Sequence, residues 1–346
     1  TGATTLTGSV SAGTGSVTLQ ATGTGGTLAL GANDVSGAGV TLEGVGVTQS
    51  AGSTVDAGTE DILVNGGGST IDMAGALTTT SDAATATTVE NASTVALPAI
   101  TTGTSGTTTI GVGGDITGAV TQSPSTAIST RTLTGSTVGP VNLGSPNTNT
   151  IPTLGAFTSD GFTLDDAGAL TLAGTVSGGT GSVTLQATGT GGTLKLGTSN
   201  VSGAGVTLEG VGVTQSSGST VNAGSGDILV SGGGGAIAMA GALTTTSDTA
   251  TATTVRDATT VALPAITTGT SGTTVIGVGG DISGAVTQSG STTLSTETLT
   301  GDTTGSVDLG NANTVPTLGA FTSDGLTLND DDALSLAGAV SGGTGL

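Results

Sequence analysis

Nothing in this chain can serve as a thiol, an imidazole, a phenol or an indole. Cysteine, histidine, tyrosine and tryptophan are absent from its 346 residues, phenylalanine occurs three times, and lysine plus arginine three times. Without cysteine there is no disulfide scaffold, thiolate metal site or cysteine nucleophile, and without histidine no imidazole base. With so few aromatics a compact core cannot be filled in the usual way. The interior must be thin and lined with Val, Leu, Ile and Ala, which suits an elongated array. A net charge of −21 argues against nucleic acid and against an anionic membrane surface, since both are bound by clustered Lys and Arg. No apolar run reaches about 18 residues, so no helix spans a bilayer. Three Phe cannot build the aromatic girdles of a transmembrane barrel. Only seven prolines, and glycine off a three-residue period, exclude collagen.

What is present is repetition. Thr14–Ser123 returns as Thr180–Ser289 at an offset of 166, with about four in five residues identical. GSVTLQATGTGGTL at 15–28 returns at 181–194, and VSGAGVTLEGVGVTQS at 35–50 returns at 201–216. Further on the offset slips to 164: PTLGAFTSDG at 152–161 returns at 316–325. The slip is expected in a surface loop near 145–150, where SPNTNTIP shortens to NANTVP. Fixed-period self-similarity marks an array of stacked units. The chain divides into the end of a preceding repeat (1–13), copy one (14–179), copy two (180–343) and the start of a third (344–346), read as one continuous solenoid and as a window on a longer array. The two copies are expected to superpose as whole blocks, displaced along one axis by roughly 40 Å.

The short-range pattern is β. Val17-Thr18-Leu19, Leu28-Ala29-Leu30, Val40-Thr41-Leu42, Ile71-Asp72-Met73, Val95-Ala96-Leu97 and Ile110-Gly111-Val112 alternate apolar with small or polar residues. Strands of three to five residues are expected, separated by turn clusters at Gly23–Gly26, Gly31–Asp34, Gly58–Asp61 and Asn65–Ser69. Three such strands make a coil of roughly 19–24 residues, one rung of a parallel β-helix, and about eight rungs fill one copy. The fold class is therefore all-β, a parallel β-solenoid. Leu19, Leu28, Leu30, Val40, Leu42, Ile62, Val64, Ile71, Met73, Val95 and Leu97 are expected to point inward, with Thr and Ser ladders outside. Disorder conflicts with the regular alternation and with only 8% charged residues. A β-sandwich array would need larger cores.

Carboxylates are the only acid–base groups in number. Asp165-Asp166, matched by Asp330, Asp331 and Asp332, could pair a general acid with a general base, but no cation lies near to bind an acidic sugar. They read as a solvated turn. Calcium is the one cofactor considered, with Glu60-Asp61 and Asp165-Asp166 as hard oxygen donors. Glu60 becomes Gly226 in copy two and the calcium-binding nonapeptide is missing, so no cofactor and no metal, catalytic or cofactor-binding residue is assigned. Gly23-Thr24-Gly25-Gly26 lacks the helix and Lys of a phosphate loop. The runs Thr78–Thr80 and Thr85–Thr88 are spaced too irregularly for an ice-binding face. The cations Arg131, Lys195 and Arg256 face Glu297, Ala29 and Glu90 in the other copy, which fits exposed side chains without a fixed partner. Asp34, Asp56, Asp72 and Glu90 exchange for Asn200, Asn222, Ala238 and Arg256. The acidic residues are accordingly expected to be dispensable one at a time. Together they should oppose side-by-side association, so that a pH near 4 promotes bundling.

The strings at 53–80 (STVDAGTEDILVNGGGSTIDMAGALTTT) and 15–32 resemble the β-strand repeats of giant bacterial surface proteins, the filamentous-haemagglutinin-like adhesins. The resemblance covers the whole chain in composition and repeat style and includes no catalytic motif. It implies a right-handed parallel β-helix that is secreted, extracellular or at the bacterial cell surface. The expected function is non-enzymatic: the stiff shaft of a long adhesin or filament, a spacer for surface or biofilm attachment. A self-assembling extracellular fibre or sheath subunit is the alternative, and a β-helical polysaccharide-active enzyme a more distant one. The expected partners are neighbouring repeats, other copies of the chain or extracellular polysaccharide, with no nucleic acid and no membrane insertion.

Overall fold

The computed structural model describes residues 2–343. Residues 344–346, read above as the start of a third copy, lie outside the described residues. The described chain contains no helix, and its parallel strands stack as a β-solenoid of about 15 turns in all. By contacts it forms two compact units, Thr1–Ala167 and Gly168–Leu346.

In the first unit each turn visits three faces. Face one stacks Val17–Ala21, Val40–Gly44, the first half of Ile62–Met73, the first half of Thr87–Leu97, Thr107–Ile110, Thr132–Ser136 and Thr153–Thr158. Face two stacks Leu28–Ala29, Val47–Gln49, the second halves of the same two long strands, Val120–Gln122, Val141–Leu143 and Phe162–Asp166. Face three stacks Val10–Ser11, Val35–Ser36, Thr54–Asp56, Ala76–Thr78, Ala99–Thr101 and Ile128–Ser129. The second unit repeats these pairings: Val183 with Val206, Val206 with Ile228, Ile228 with Thr253 on face one, and Leu194 with Val213 and Val213 with Ile237 on face two.

Parallel in-register pairing puts like on like. Val17, Val40, Ile62, Thr87, Thr108, Leu133 and Leu154 form one buried column. Leu28, Val47, Ile71, Val95, Val120, Val141 and Phe162 form another. Branched aliphatics suit this packing, because each fills the space above its counterpart without a long reach. Ten of the eleven side chains expected inside are buried, and Leu19 is half-buried. Its strand, Val17–Ala21, is stacked only on Val40–Gly44 in the described pairings, so one side of Leu19 has no neighbouring turn.

Three expectations are corrected. Strands are not all short: Ile62–Met73 and Ile228–Met239 run 12 residues, and Thr87–Leu97 and Thr253–Leu263 run 11. The cluster at 65–69 does not separate strands. Gly67 takes φ +55 and Gly68 φ +78, a left-handed bend that turns the chain from face one to face two, with the pairing interrupted after Asn65 and resumed at Ser69. Turn length is also more variable than 19–24. Leu28 pairs with Val47, 19 residues on, whereas Ile100 pairs with Ile128, 28 residues on. The surplus sits at corners, so the columns stay aligned.

All three phenylalanines are buried, and the rings of Phe157 and Phe162 stand 4.5 Å apart. Phe157 fits because the residue paired beneath it is Gly135. A Cβ on Gly135 would lie 2.2 Å from the Ile110 carbonyl oxygen and 2.8 Å from the Phe157 ring. The same arrangement recurs between Gly301 and Phe321. Gly135→Ala is therefore expected to cost about 1–3 kcal/mol through overpacking. Gly8→Ala, at a position with nothing within 4 Å, serves as the neutral control. Urea unfolding of both variants checks this, and equal midpoints would refute the packing argument.

Candidate functional site

The carboxylates fall into two groups once their partners are known. Some hold turns. Asp82 Oδ1 accepts the Ser105 amide at 2.7 Å, and Asp115 Oδ1 accepts the Val112 amide at 2.8 Å. Their equivalents Asp248 and Asp281 do the same for Ser271 and Val278, at 2.7 and 2.8 Å. Asp34 Oδ1 accepts the Thr54 amide at 2.8 Å and Asn200 Oδ1 accepts the Thr220 amide at 2.8 Å. Asp56 and Asn222 each accept the amide two residues on, Gly58 or Gly224, at 2.9 Å. The exchange of Asp for Asn thus keeps an acceptor oxygen in place and discards only the charge. Asp34 and Asp56 are exposed, and each also holds a backbone amide. Asp72 and Ala238 are exposed as well.

Asp165-Asp166 is corrected too. Both residues close the strand Phe162–Asp166, and Asp166 is 1% exposed. Its Oδ1 accepts the Ile151 amide, at 2.5 Å, and Asp330 Oδ1 accepts the Val315 amide at 2.7 Å. Asp331 and Asp332 lie in an exposed bend just beyond. This is a backbone-capping role, and the turn expected at 165–166 is a strand end. Among the described residues no three acidic side chains gather closely enough to hold a metal ion. Glu60 and Asp61 are adjacent in sequence, but Asp61 is engaged by hydroxyls: Ser81 Oγ donates to Oδ1 at 2.6 Å and Thr85 Oγ1 to Oδ2 at 2.5 Å.

In the second copy the same site gains a donor, because Ala83 is replaced by Thr249. Asp227 accepts from Ser247 Oγ at 2.5 Å, Thr249 Oγ1 at 2.8 Å and Thr251 Oγ1 at 3.0 Å. Partial burial pushes this carboxyl up, but the three hydroxyl donations outweigh it and hold it below its ordinary value of 3.8.

The most elaborate polar site lies inside the solenoid and was missed in the sequence. Asn149 is fully buried. Its Oδ1 accepts from Gln122 Nε2 and from the Ile128 amide, both at 2.9 Å, and its Nδ2 donates to Gln122 Oε1 at 3.0 Å and to the Leu143 carbonyl at 2.9 Å. Asn313 repeats this with Gln288 and the Leu294 amide, at 2.8 and 2.9 Å. The signal was present: in Val120-Thr121-Gln122 strand alternation puts Gln on the same side as the buried Val. This network is also where the two-residue slip falls. In copy one 144–148 is an irregular segment with a turn, and in copy two the shortened chain runs straight through as the strand Val307–Asn313. The segment is less superficial than expected, since Asn147 and Asn149 are both buried.

Arg131, Lys195 and Arg256 are exposed. Gly23–Gly26 closes a turn, with the Gly26 amide donating to the Gly23 carbonyl at 2.7 Å, and leads into the strand Leu28–Ala29. No family model matches the chain, and no curated protein and no solved structure does either.

Two outcomes are expected. Asp166→Leu leaves the buried Ile151 amide unpaired and costs about 1–3 kcal/mol, whereas Asp166→Asn keeps the acceptor and costs less. Denaturant unfolding that ranks the two equally would contradict the capping role. For Asp227, a depressed folded-state value means its contribution is complete above the unfolded-state value and is lost as pH falls through the folded-state one. Wild-type stability should then drop more steeply below about pH 4 than that of Asp227→Asn. Thermal melts across that range read the difference.

Proposed function

We propose that this chain is a structural spacer: a stretch of β-solenoid shaft from a long, secreted bacterial surface adhesin or filament. The supporting observation is the uniformity of the stack. Within each unit turn after turn repeats the same parallel pairing over the same aliphatic columns, and the polar side chains most fully engaged serve backbone amides. Load along the stacking direction would fall on rows of backbone hydrogen bonds acting together, while each interior column resists shear. Two near-identical copies fit a part whose length matters more than its local detail. The surface location and the bacterial origin rest on the resemblance of the repeats.

The second reading, a self-assembling extracellular fibre or sheath subunit, draws on the same stack and on the long outer Thr-rich faces. The two readings separate in one experiment. Proteins with two, four and six copies are purified and viewed by electron microscopy. The spacer reading expects single particles that lengthen by about 40 Å per added copy, from about eight turns at ~4.8 Å. Length that does not grow with copy number would overturn it, and polymers in place of single particles would favour the fibre.

A further inference from the structure

Buried threonines at the corners of the coil are paired. Thr79, Thr130 and Thr137 of the first copy donate to the carbonyls of Glu60, Gly106 and Gly139 at 2.5, 3.0 and 2.8 Å. Their equivalents Thr245, Thr296 and Thr303 donate to those of Gly226, Gly272 and Gly305 at 2.6, 3.0 and 2.9 Å. Four threonines on a face differ. Thr87, Thr108, Thr253 and Thr274 are each 0% exposed, and none of their hydroxyl oxygens has a hydrogen-bond partner among the described residues. They form two pairs at equivalent places. Thr87 is stacked directly on Thr108, and Thr253 on Thr274, in the inner aliphatic column of face one. Ile62 and Leu133 flank the first pair, and Ile228 and Leu299 the second.

An unpaired hydroxyl in an apolar interior is costly, and Val has the same shape without that cost. Exchange of Thr for Val occurs at the very next residue: Thr109 is Val275 in the second copy. Both copies nevertheless keep both inner hydroxyls. We infer that each pair holds a buried water molecule, which bridges the Thr87 and Thr108 hydroxyls in copy one and the Thr253 and Thr274 hydroxyls in copy two. In-register turns place like atoms about 4.8 Å apart, and β-branched side chains have few rotamers to choose from. That separation is too long for a direct hydrogen bond. It suits one water about 2.8 Å from each oxygen, set to the side of the line that joins them. One hydroxyl donates to the water, and the water donates to the other. The room comes from the side chains. Thr has one heavy atom fewer than the Ile and Leu that flank each pair, so two adjacent turns forgo two atoms and a water restores one. A polar lining and room for one molecule are what a buried water requires. The bridge also gives the column a specificity that aliphatic contacts lack. It forms only where hydroxyl lies over hydroxyl, and a slip of two residues between these strands would set a hydroxyl against Val89 or Ile110.

A dry interior at these positions would leave the spacer reading intact. The test removes the hydroxyls from the full chain without changing side-chain shape. Three variants are made: T87V with T253V, T108V with T274V, and all four together. Removing one hydroxyl of each pair leaves the other, and its water, short of a partner. Each of the first two variants should therefore melt about 2 °C or more below the wild type. The fourfold variant releases the waters and leaves matched apolar turns, so it should melt at or above the wild type. Oxygen-17 relaxation dispersion, which counts long-lived internal waters, should show one fewer per copy in the fourfold variant than in the wild type. A crystal structure of the wild type should show density between the paired hydroxyls. Gains in melting temperature from each of the first two variants, adding up in the fourfold one, would mean that the hydroxyls are simply unpaired. Losses that add up would mean that each hydroxyl has a separate partner. Either result, an unchanged water count or an empty site in the crystal overturns the inference.

Discussion

Parallel pairing of each strand with its equivalents one turn before and one turn after is the constraint on which everything else here depends. It fixes the spacing between turns, and it forces every side chain to sit against the side chain at the same position of the next turn. A residue is therefore acceptable only if it tolerates a column of its own kind. Val, Leu, Ile and Ala do so inside, and Thr does so outside. Long or charged side chains inside the column would not, which accounts for an interior almost free of them.

The same constraint explains why interior side chains that hold backbone amides are found at corners. On a face the backbone groups are satisfied by the neighbouring turns. At a corner the chain leaves the ladder, and its amides need other partners. Asn149, held by Gln122, accepts the Ile128 amide in copy one, Asn313, held by Gln288, accepts the Leu294 amide in copy two, and Asp166 and Asp330 cap the amides of Ile151 and Val315 close by. What the two copies preserve at these places is an oxygen of the right reach. Charge is optional, as the exchange of Asp34 for Asn200 with an unchanged hydrogen bond shows.

The fold was legible because its signal is periodic: alternation sets the inward residues, and turn clusters set the corners. Ten of eleven expected core residues are buried on that logic alone. The long strand Ile62–Met73 was not legible, because a glycine run is a turn signal whether the chain stops pairing there or merely bends. The buried amides were missed for a related reason. Gln and Asn are polar by type, and only their phase relative to Val47 or Val120 shows that they point inward. The role of Asp166 was beyond the local sequence, since the amide it caps lies 15 residues away and is brought to it by the coil.

The step of 19 residues at one corner and 28 at another has a consequence for how such a chain can change. Residues inserted or deleted at a corner alter the girth of one turn and leave its neighbours where they were. The two residues lost between the copies illustrate it: an irregular connection became a strand, and the pairing on either side was retained. Residue count and axial position are thereby uncoupled. Small indels can accumulate as harmless local noise, while height changes only in whole turns, the step that exchange between near-identical gene segments delivers.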